Sequence, residues 1–473
     1  MNVSAHRAFS FLRTYGYERV SCSKEERTVA EALLNECTSL GVSAQLEEFT
    51  VPCGRVSHAL LRVTSPYVKE YEVTGYERAA STPEGGLDTE FLYVENADEV
   101  LLEQAKGKIV LVNGYLNRAT YEKLRKAEAA AILTFTGRTI DRESESDLNR
   151  CKLRETLTEP FGAVPVLNMR AASAAEIVRR GAKTVHIELI GECYDGTSQN
   201  VCATIPGTDK PSEVITLGGH YDSVYFSSGV HDNLSGSVIV LELLRYFAAH
   251  PPRRTLRFCW FGSEEQGLLG SKAYVKAHAD ELKDCVAMLN FDVAAPTLGS
   301  NHLVTLATDD ALHYVAGVLR EAGYGVRAKQ DTYSSDCIPF ADNGVPAINL
   351  ARFGANGADY MHNRHDSLKS GYLDEHALDI TLQQGFVLLD RLANAASFPI
   401  KREIAPEIRQ ALDKAAVTLD PLPVIVFENT ADSGMSVLYQ NPRQLIARAR
   451  IRHLHAVKRL ILVMIVNEQR RNI

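Results

Sequence analysis

Hydrophobic positions recur at helical spacing over residues 25–40, where Val29, Ala30, Leu33, Leu34, Cys37 and Leu40 follow Glu25 and Glu26. That period predicts an amphipathic helix, stopped by Gly41. Residues 42–51 then alternate as a strand does. Between about 55 and 192 the pattern changes to short apolar runs at 108–112, 130–134 and 164–167, broken by turns and by one helix near 119–129. This stretch reads as a β-rich block inserted into the chain. From 195 to 398 strand, loop and helix repeat. Strands are expected at 214–217, 255–261, 286–291, 303–306 and 347–350, and helices at 233–248, 271–279, 310–322 and 374–395. Such alternation implies an α/β fold with a mostly parallel, mixed sheet flanked by helices. In sheets of this kind ligands bind beyond the carboxyl ends of the strands.

Composition narrows the class without choosing within it. Of 473 residues 45% are hydrophobic and 23% charged, as in a globular chain. The net charge of −8 offers no global grip on nucleic acid. Nine cysteines occur without a C-x-x-C pair, which points to mostly reduced, buried thiols and a cytoplasmic location. The apolar run 460–466 is too short to span a bilayer, and residues 1–17 lack the apolar core of a signal peptide. Residues 401–473 reverse the global sign. The stretch from Arg443 to Arg459 interleaves basic and apolar positions, as in a solvated helix on the core or a poorly ordered end. A basic amphipathic helix meeting an acidic partner or membrane surface is the alternative.

The chemistry lies in loops after strands: Gly218-Gly219-His220-Tyr221-Asp222, His231-Asp232-Asn233, Gly262-Ser263-Glu264-Glu265, Asn290-Phe291-Asp292, and Tyr360-Met361-His362-Asn363-Arg364-His365-Asp366. Singly, each reads as a solvated histidine, a cap or helix-end decoration. Together they fall on one sheet edge, and that many carboxylates must protonate or find cations. Imidazole and carboxylate ligands without thiolate suit Zn²⁺, with Mn²⁺ or Co²⁺ as substitutes. Two metals sharing one carboxylate need five ligands, and His220, Asp232, Glu265, Asp292 and His362 supply them. Asp222, two residues after His220, is placed to hold its imidazole. Glu264, beside Glu265, is placed as a general base.

These motifs, with Glu264-Glu265-Gln-Gly-Leu-Leu-Gly-Ser and Ser335-Asp336-Cys337-Ile-Pro-Phe340, resemble the M28 family of co-catalytic zinc peptidases. The resemblance covers about 20–50 and 195–398. It implies a zinc-exopeptidase fold and two Zn²⁺ per chain, one on His220 and Asp292, the other on Glu265 and His362, with Asp232 bridging. It places Asp336 and Cys337 beside the substrate pocket. Tyr360 is a candidate for the oxyanion-stabilising tyrosine that some relatives carry one position later, where Met361 stands. His365 rivals His362, but His362 leaves Asp366-Ser367 in the family's H-x-x-x-D-[ST] pattern. His231 stands where the family has a small residue. The M20 family, with similar ligands, inserts its extra domain after the last acidic ligand, whereas here it lies earlier.

The block 55–192 resembles a protease-associated domain. The chain then divides into 1–54, the N-terminal part of the peptidase domain; the insertion at 55–192; the catalytic part at 193–400; and an unassigned tail at 401–473. The activity implied is that of an aminopeptidase acting on peptides. A glutamate-carboxypeptidase-type enzyme is the alternative, with Arg352 and Arg364 as the candidates to hold a substrate carboxylate. Glutaminyl cyclase and a non-catalytic binding protein are further rivals. The chain contains no H-E-x-x-H, no G-x-x-x-x-G-K-[ST] and no G-x-S-x-G.

Overall fold

The computed structural model describes residues 2–418, apart from 115, 143–145, 356 and 359–360, together with strands Val426–Glu428 and Ser436–Leu438. Those two late strands pair antiparallel in a small unit separate from the main body. The basic stretch Arg443–Arg459 lies outside the described residues.

Four strands make the parallel centre of the sheet: Arg254–Phe261, Lys210–His220, Cys285–Phe291 and Ala347–Gly354, in that spatial order. They are buried on both faces, which is why their sequences run apolar without alternation. Antiparallel strands close both sides. Gly299–Leu306 pairs with Ala347–Gly354, and Thr184–Ile205 with Arg254–Phe261. Ser43–Ser65 then pairs with Thr184–Ile205 over nearly its whole length. The sheet is therefore mixed, and its parallel part is the part that carries the site.

Helix Ser235–Ala249 lies against the sheet and is buried along most of its length. Helices Ala5–Tyr15 and Glu375–Asn394 cover it. The Trp260 indole donates to the Ser237 carbonyl at 2.9 Å, so the largest core side chain also pins this helix. Helix Lys24–Ser39 starts at the Ser23 cap, whose side chain accepts from Glu26 N. It buries Val29, Ala30, Leu33 and Cys37, and Glu26 shares that face.

The inserted segment brings together strands Leu87–Tyr93, Ile109–Leu111, Ala131–Thr136 and Val166–Arg170, all parallel, with Val73–Gly75 antiparallel at the edge. It has apolar clusters of its own, one around Tyr121, Leu124, Ile132 and Val166, the other around Ile109, Leu133, Leu167 and Ile177. The sequence pattern shows one helix here, Arg118–Lys126. The structure adds Glu99–Leu102, Glu155–Phe161 and Ala171–Arg179. The first two are too short for a period to register, and the third packs with small alanines.

Arg19 organises the junction of the N-terminal segment with the sheet. It is fully buried and donates to the carbonyls of Tyr15, Tyr17, Tyr221, Ser228 and Gly229. Its pKa falls to about 10, because burial outweighs the attraction of Asp366 and Asp222. Arg19→Ala strips several buried carbonyls of their donor, at a cost of about 1–3 kcal/mol per unsatisfied group. The expected loss is about 3 kcal/mol or more in urea unfolding, and a loss below about 1 kcal/mol contradicts this account.

Among the described residues no helix is long and apolar enough to cross a membrane.

Candidate active site

Each chemical loop follows a strand of the parallel centre. His220 ends one strand, Asp292 follows the next, and Glu264 and Glu265 form a helical turn after a third. Asp232 sits in the turn Val230–Leu234 that leads into helix Ser235–Ala249. His362 lies in the loop beyond Ala347–Gly354. The backbone at Ser263, Val293 and His362 is left-handed, with φ of 54°, 67° and 58°. Such conformations persist where surrounding contacts fix them.

The side chains form two groups that share Asp232: His220, Asp232 and Asp292, and Asp232, Glu265 and His362. Within each group the candidate ligand atoms lie within 4.8 Å of one another. Asp232 turns one oxygen to each histidine, Oδ1 3.2 Å from His220 Nε2 and Oδ2 2.9 Å from His362 Nε2. His220 Nε2 is also 3.7 Å from Asp292 Oδ1, and His362 Nε2 is 3.2 Å from Glu265 Oε1. Glu264 belongs to neither group, yet its Oε2 lies 3.9 Å from His220 Nε2. His365, the rival to His362, is exposed and in neither group.

Two buried carboxylates hold the backbone that presents these groups. Asp222 accepts from Glu264 N at 3.0 Å and Glu265 N at 3.2 Å, and its Oδ1 lies 3.3 Å from His220 Nδ1. Asp366 accepts from His231 N at 2.7 Å and Asp232 N at 3.0 Å. Asn233 ties the Asp292 side to the helix start: its Oδ1 accepts from Gly236 N and Val293 N, and its Nδ2 donates to Phe291 O. Behind the Glu264 turn, Glu26 accepts from Ser263 N at 3.1 Å and from Ser198 Oγ. Sequence reasoning assigns no part in the site to Arg19, to Glu26 or to Asn233, the last appearing only within the His231-Asp232-Asn233 motif. Only Glu26 left a local signal, as an acid on the apolar face of a helix.

Electrostatics follow from burial and crowding. Burial alone would raise the Asp232 carboxyl, but hydrogen bonds with His220 and His362 prevail and hold it well below the usual carboxylate range. Burial opposes protonation of His220 and His362, yet the facing carboxylates push both well above an ordinary imidazole. Glu264 is pushed well above the ordinary range, first by burial and then by Glu265, Asp336 and Asp292, against the pull of His220. Burial brings Asp336 to about 7.

The remaining candidates divide. Asp336 is buried, and neither of its oxygens has a hydrogen-bond partner among the described residues. Cys337 is buried at the start of helix Cys337–Asp342, its Sγ 3.5 Å from Tyr333 O. Arg352 departs from its expected part. It donates to Pro296 O, Asn301 Oδ1 and Thr297 O, so it clamps a turn and is not set to receive a substrate carboxylate. Arg364 pairs with Asp147 of the inserted segment. The His231 imidazole lies 2.8 Å from the Ala294 carbonyl and edge-on to Tyr372, which makes it part of the packing. Tyr360 lies outside the described residues.

The donor set fits metal. Oε2 of Glu265 is buried without a hydrogen-bond partner among the described residues, a costly state that cation binding would relieve. Residues 200–383 match the model of peptidase family M28. Residues 200–383 are the M28-like part of the chain. The chain is 27% identical over 405 residues to the aminopeptidase YwaD of Bacillus subtilis, covering 82% of this chain and 83% of that one. It is 27% identical over 274 residues to mouse carboxypeptidase Q, covering 55% and 58%. The solved structure of BSAP, a zinc aminopeptidase from Bacillus subtilis, superposes with a TM-score of 0.70 at 22% identity, over 85% of this chain and 99% of that one. The fold is thus that of this zinc aminopeptidase, and the chain is a metallopeptidase.

Proposed function

We propose that the protein is a di-zinc aminopeptidase that removes N-terminal residues from peptides. The observation that carries this is the pair of ligand groups joined through Asp232, with Glu264 alongside but in neither. His220, Asp232 and Asp292 would hold one cation, and Asp232, Glu265 and His362 the other. Zinc is supported by the name of the superposed Bacillus subtilis enzyme. When bound, the two cations supply acidity to a water and polarise the scissile carbonyl.

The chain's own residues do the rest. Glu264 takes the proton of the attacking water on its carboxylate and gives it to the departing amine nitrogen. Its raised affinity for protons suits the second half of that task. Asp222 keeps the Glu264 turn and the His220 ring in register, and Asp366 does so for Asp232. The surplus of carboxylates favours a cationic N-terminal amine.

A carboxypeptidase has the support of the carboxypeptidase Q relative. It needs a cation for the substrate carboxylate, and Arg352 and Arg364 are both engaged elsewhere. We read 55–192 as a protease-associated insertion between two parts of the peptidase domain, at 1–54 and 193–400. Its own apolar clusters and the Arg364–Asp147 pair at the site loop support this.

The test is a dipeptide series with free, acetylated or amidated termini, assayed before and after chelation and zinc return. Cleavage requiring a free N-terminus, abolished by chelator and restored by zinc, is expected. Cleavage requiring a free C-terminus selects the carboxypeptidase. Cleavage that survives full metal removal overturns both.

A further inference from the structure

The thiols of Cys22 and Cys53 lie 3.7 Å apart, from residues 31 positions apart in the chain. Both are partly accessible, unlike the five buried cysteines. The sulfurs share a space that exists because residue 196 is glycine. A Cβ there would stand 2.7 Å from Cys53 Sγ and 3.0 Å from Cys22 Sγ. Cys22 is held at φ 64°, a left-handed conformation unusual for a residue with a side chain. Its amide donates to Glu26 Oε2 at 2.7 Å, which fixes it there.

That same Glu26 receives the Ser263 amide, and Ser21 Oγ meets Ser263 Oγ at 2.5 Å. Ser263 immediately precedes Glu264. A movement of Cys22 therefore reaches the catalytic turn through two short connections.

We propose that Cys22 and Cys53 are a redox-active pair that reacts with a low-molecular-weight disulfide, and that the Cys22–Cys53 disulfide so formed displaces the Glu264 turn. The environment suits the chemistry. The hydrogen bond shared with Cys22, against burial and helped by the Lys152 ammonium and the Gly196 amide, brings Cys53 down to about 7. Cys22 is correspondingly raised. A thiol with a pKa near ambient pH is the effective nucleophile in exchange. The Cys53 thiolate attacks one sulfur of the small disulfide RSSR, forming Cys53–S–SR and releasing RS⁻. The Cys22 thiol, its proton passing to the released thiolate, attacks the Cys53 sulfur and expels the second RS⁻. Two protein thiols are oxidised to one disulfide, and RSSR is reduced to two thiols.

The experiment uses the full-length, metal-loaded protein and glutathione disulfide as the probe. Treated protein is alkylated and digested, and its disulfides are mapped; kcat and KM are measured before and after, and again after dithiothreitol. A Cys22–Cys53-linked peptide is expected, with kcat lowered by about five-fold or more, KM within about two-fold, and full recovery on reduction. Cys53→Ser should keep the basal kcat and lose the response, and Cys193→Ser, which removes the exposed thiol, should keep the response. Free or merely glutathionylated Cys22 and Cys53 overturn the pairing, and a mapped disulfide with unchanged kcat overturns the coupling. The mapping is independent of peptidase activity, so failure of the aminopeptidase reading leaves this result distinct.

Discussion

Glu264→Gln is expected to lower kcat by about 10²–10⁴-fold while fold and cation content stay as in the wild type. Glutamine keeps the shape of the side chain, and the turn is held from its backbone. The Glu264 amide donates to Asp222 and the Ser263 amide to Glu26, and neither contact involves the Glu264 carboxylate. Glu264 lies outside both ligand groups, so the substitution should not weaken metal binding. What glutamine cannot do is carry a proton from water to amine. KM should change little, because the lost interaction belongs to the transition state. The checks are kcat and KM on a dipeptide, metal content by mass spectrometry and far-ultraviolet circular dichroism. Turnover within a few-fold of wild type would remove Glu264 from the base role.

Asp232→Ala should strip both cations at once. Each oxygen of this carboxylate faces a different histidine, at 3.2 and 2.9 Å, and among the described residues no other side chain belongs to both groups. Even indirect partners of a metal ligand are worth about 10–100-fold in affinity, and a shared ligand should cost more than about 100-fold at both positions. Asp292→Ala, by contrast, removes an oxygen from one group only and should leave the other cation bound. Metal counted per chain under matched zinc buffering separates the two variants. Retention of one tight cation in Asp232→Ala would contradict the shared-ligand geometry. The histidines supply a second readout. They are raised by their carboxylate neighbours, so in metal-free Asp232→Ala both should titrate at lower pH than in the metal-free wild type.

The parallel centre was legible because its strands are buried on both faces and write their apolar runs directly into the sequence. Loops that follow such strands converge by topology, which is why His220, Asp232, Glu265, Asp292 and His362 can be gathered from the sequence alone. What escaped the sequence is what depends on distant chain. Arg19 bonds to residues more than 200 positions away, and nothing local distinguishes it from a surface arginine. Asp222 reads locally as a partner for His220. Its two amide bonds to the Glu264 turn, 42 and 43 residues on, appear only when neighbouring strands are paired. Arg352 shows the opposite error. A cation near the site suggests a carboxylate anchor, but a guanidinium serves equally well as a clamp on backbone carbonyls, and here it does.

The strands Ser43–Ser65 and Thr184–Ile205 pair from Ser43↔Thr204 to Ser65↔Thr184, with shifts of register between Val56 and His58 and between Val63 and Ser65. Their near ends, Ser43 and Thr204, lie beside the catalytic strands, and their far ends carry the inserted segment. A hydrogen-bonded ladder opens from its ends, and this one resumes pairing on both sides of each shift. Unfolding of the segment must therefore propagate along the same ribbon that edges the catalytic sheet. The two bodies should share one calorimetric transition, and the slowest-exchanging amides of this ribbon should lie near the buried Val51, between them.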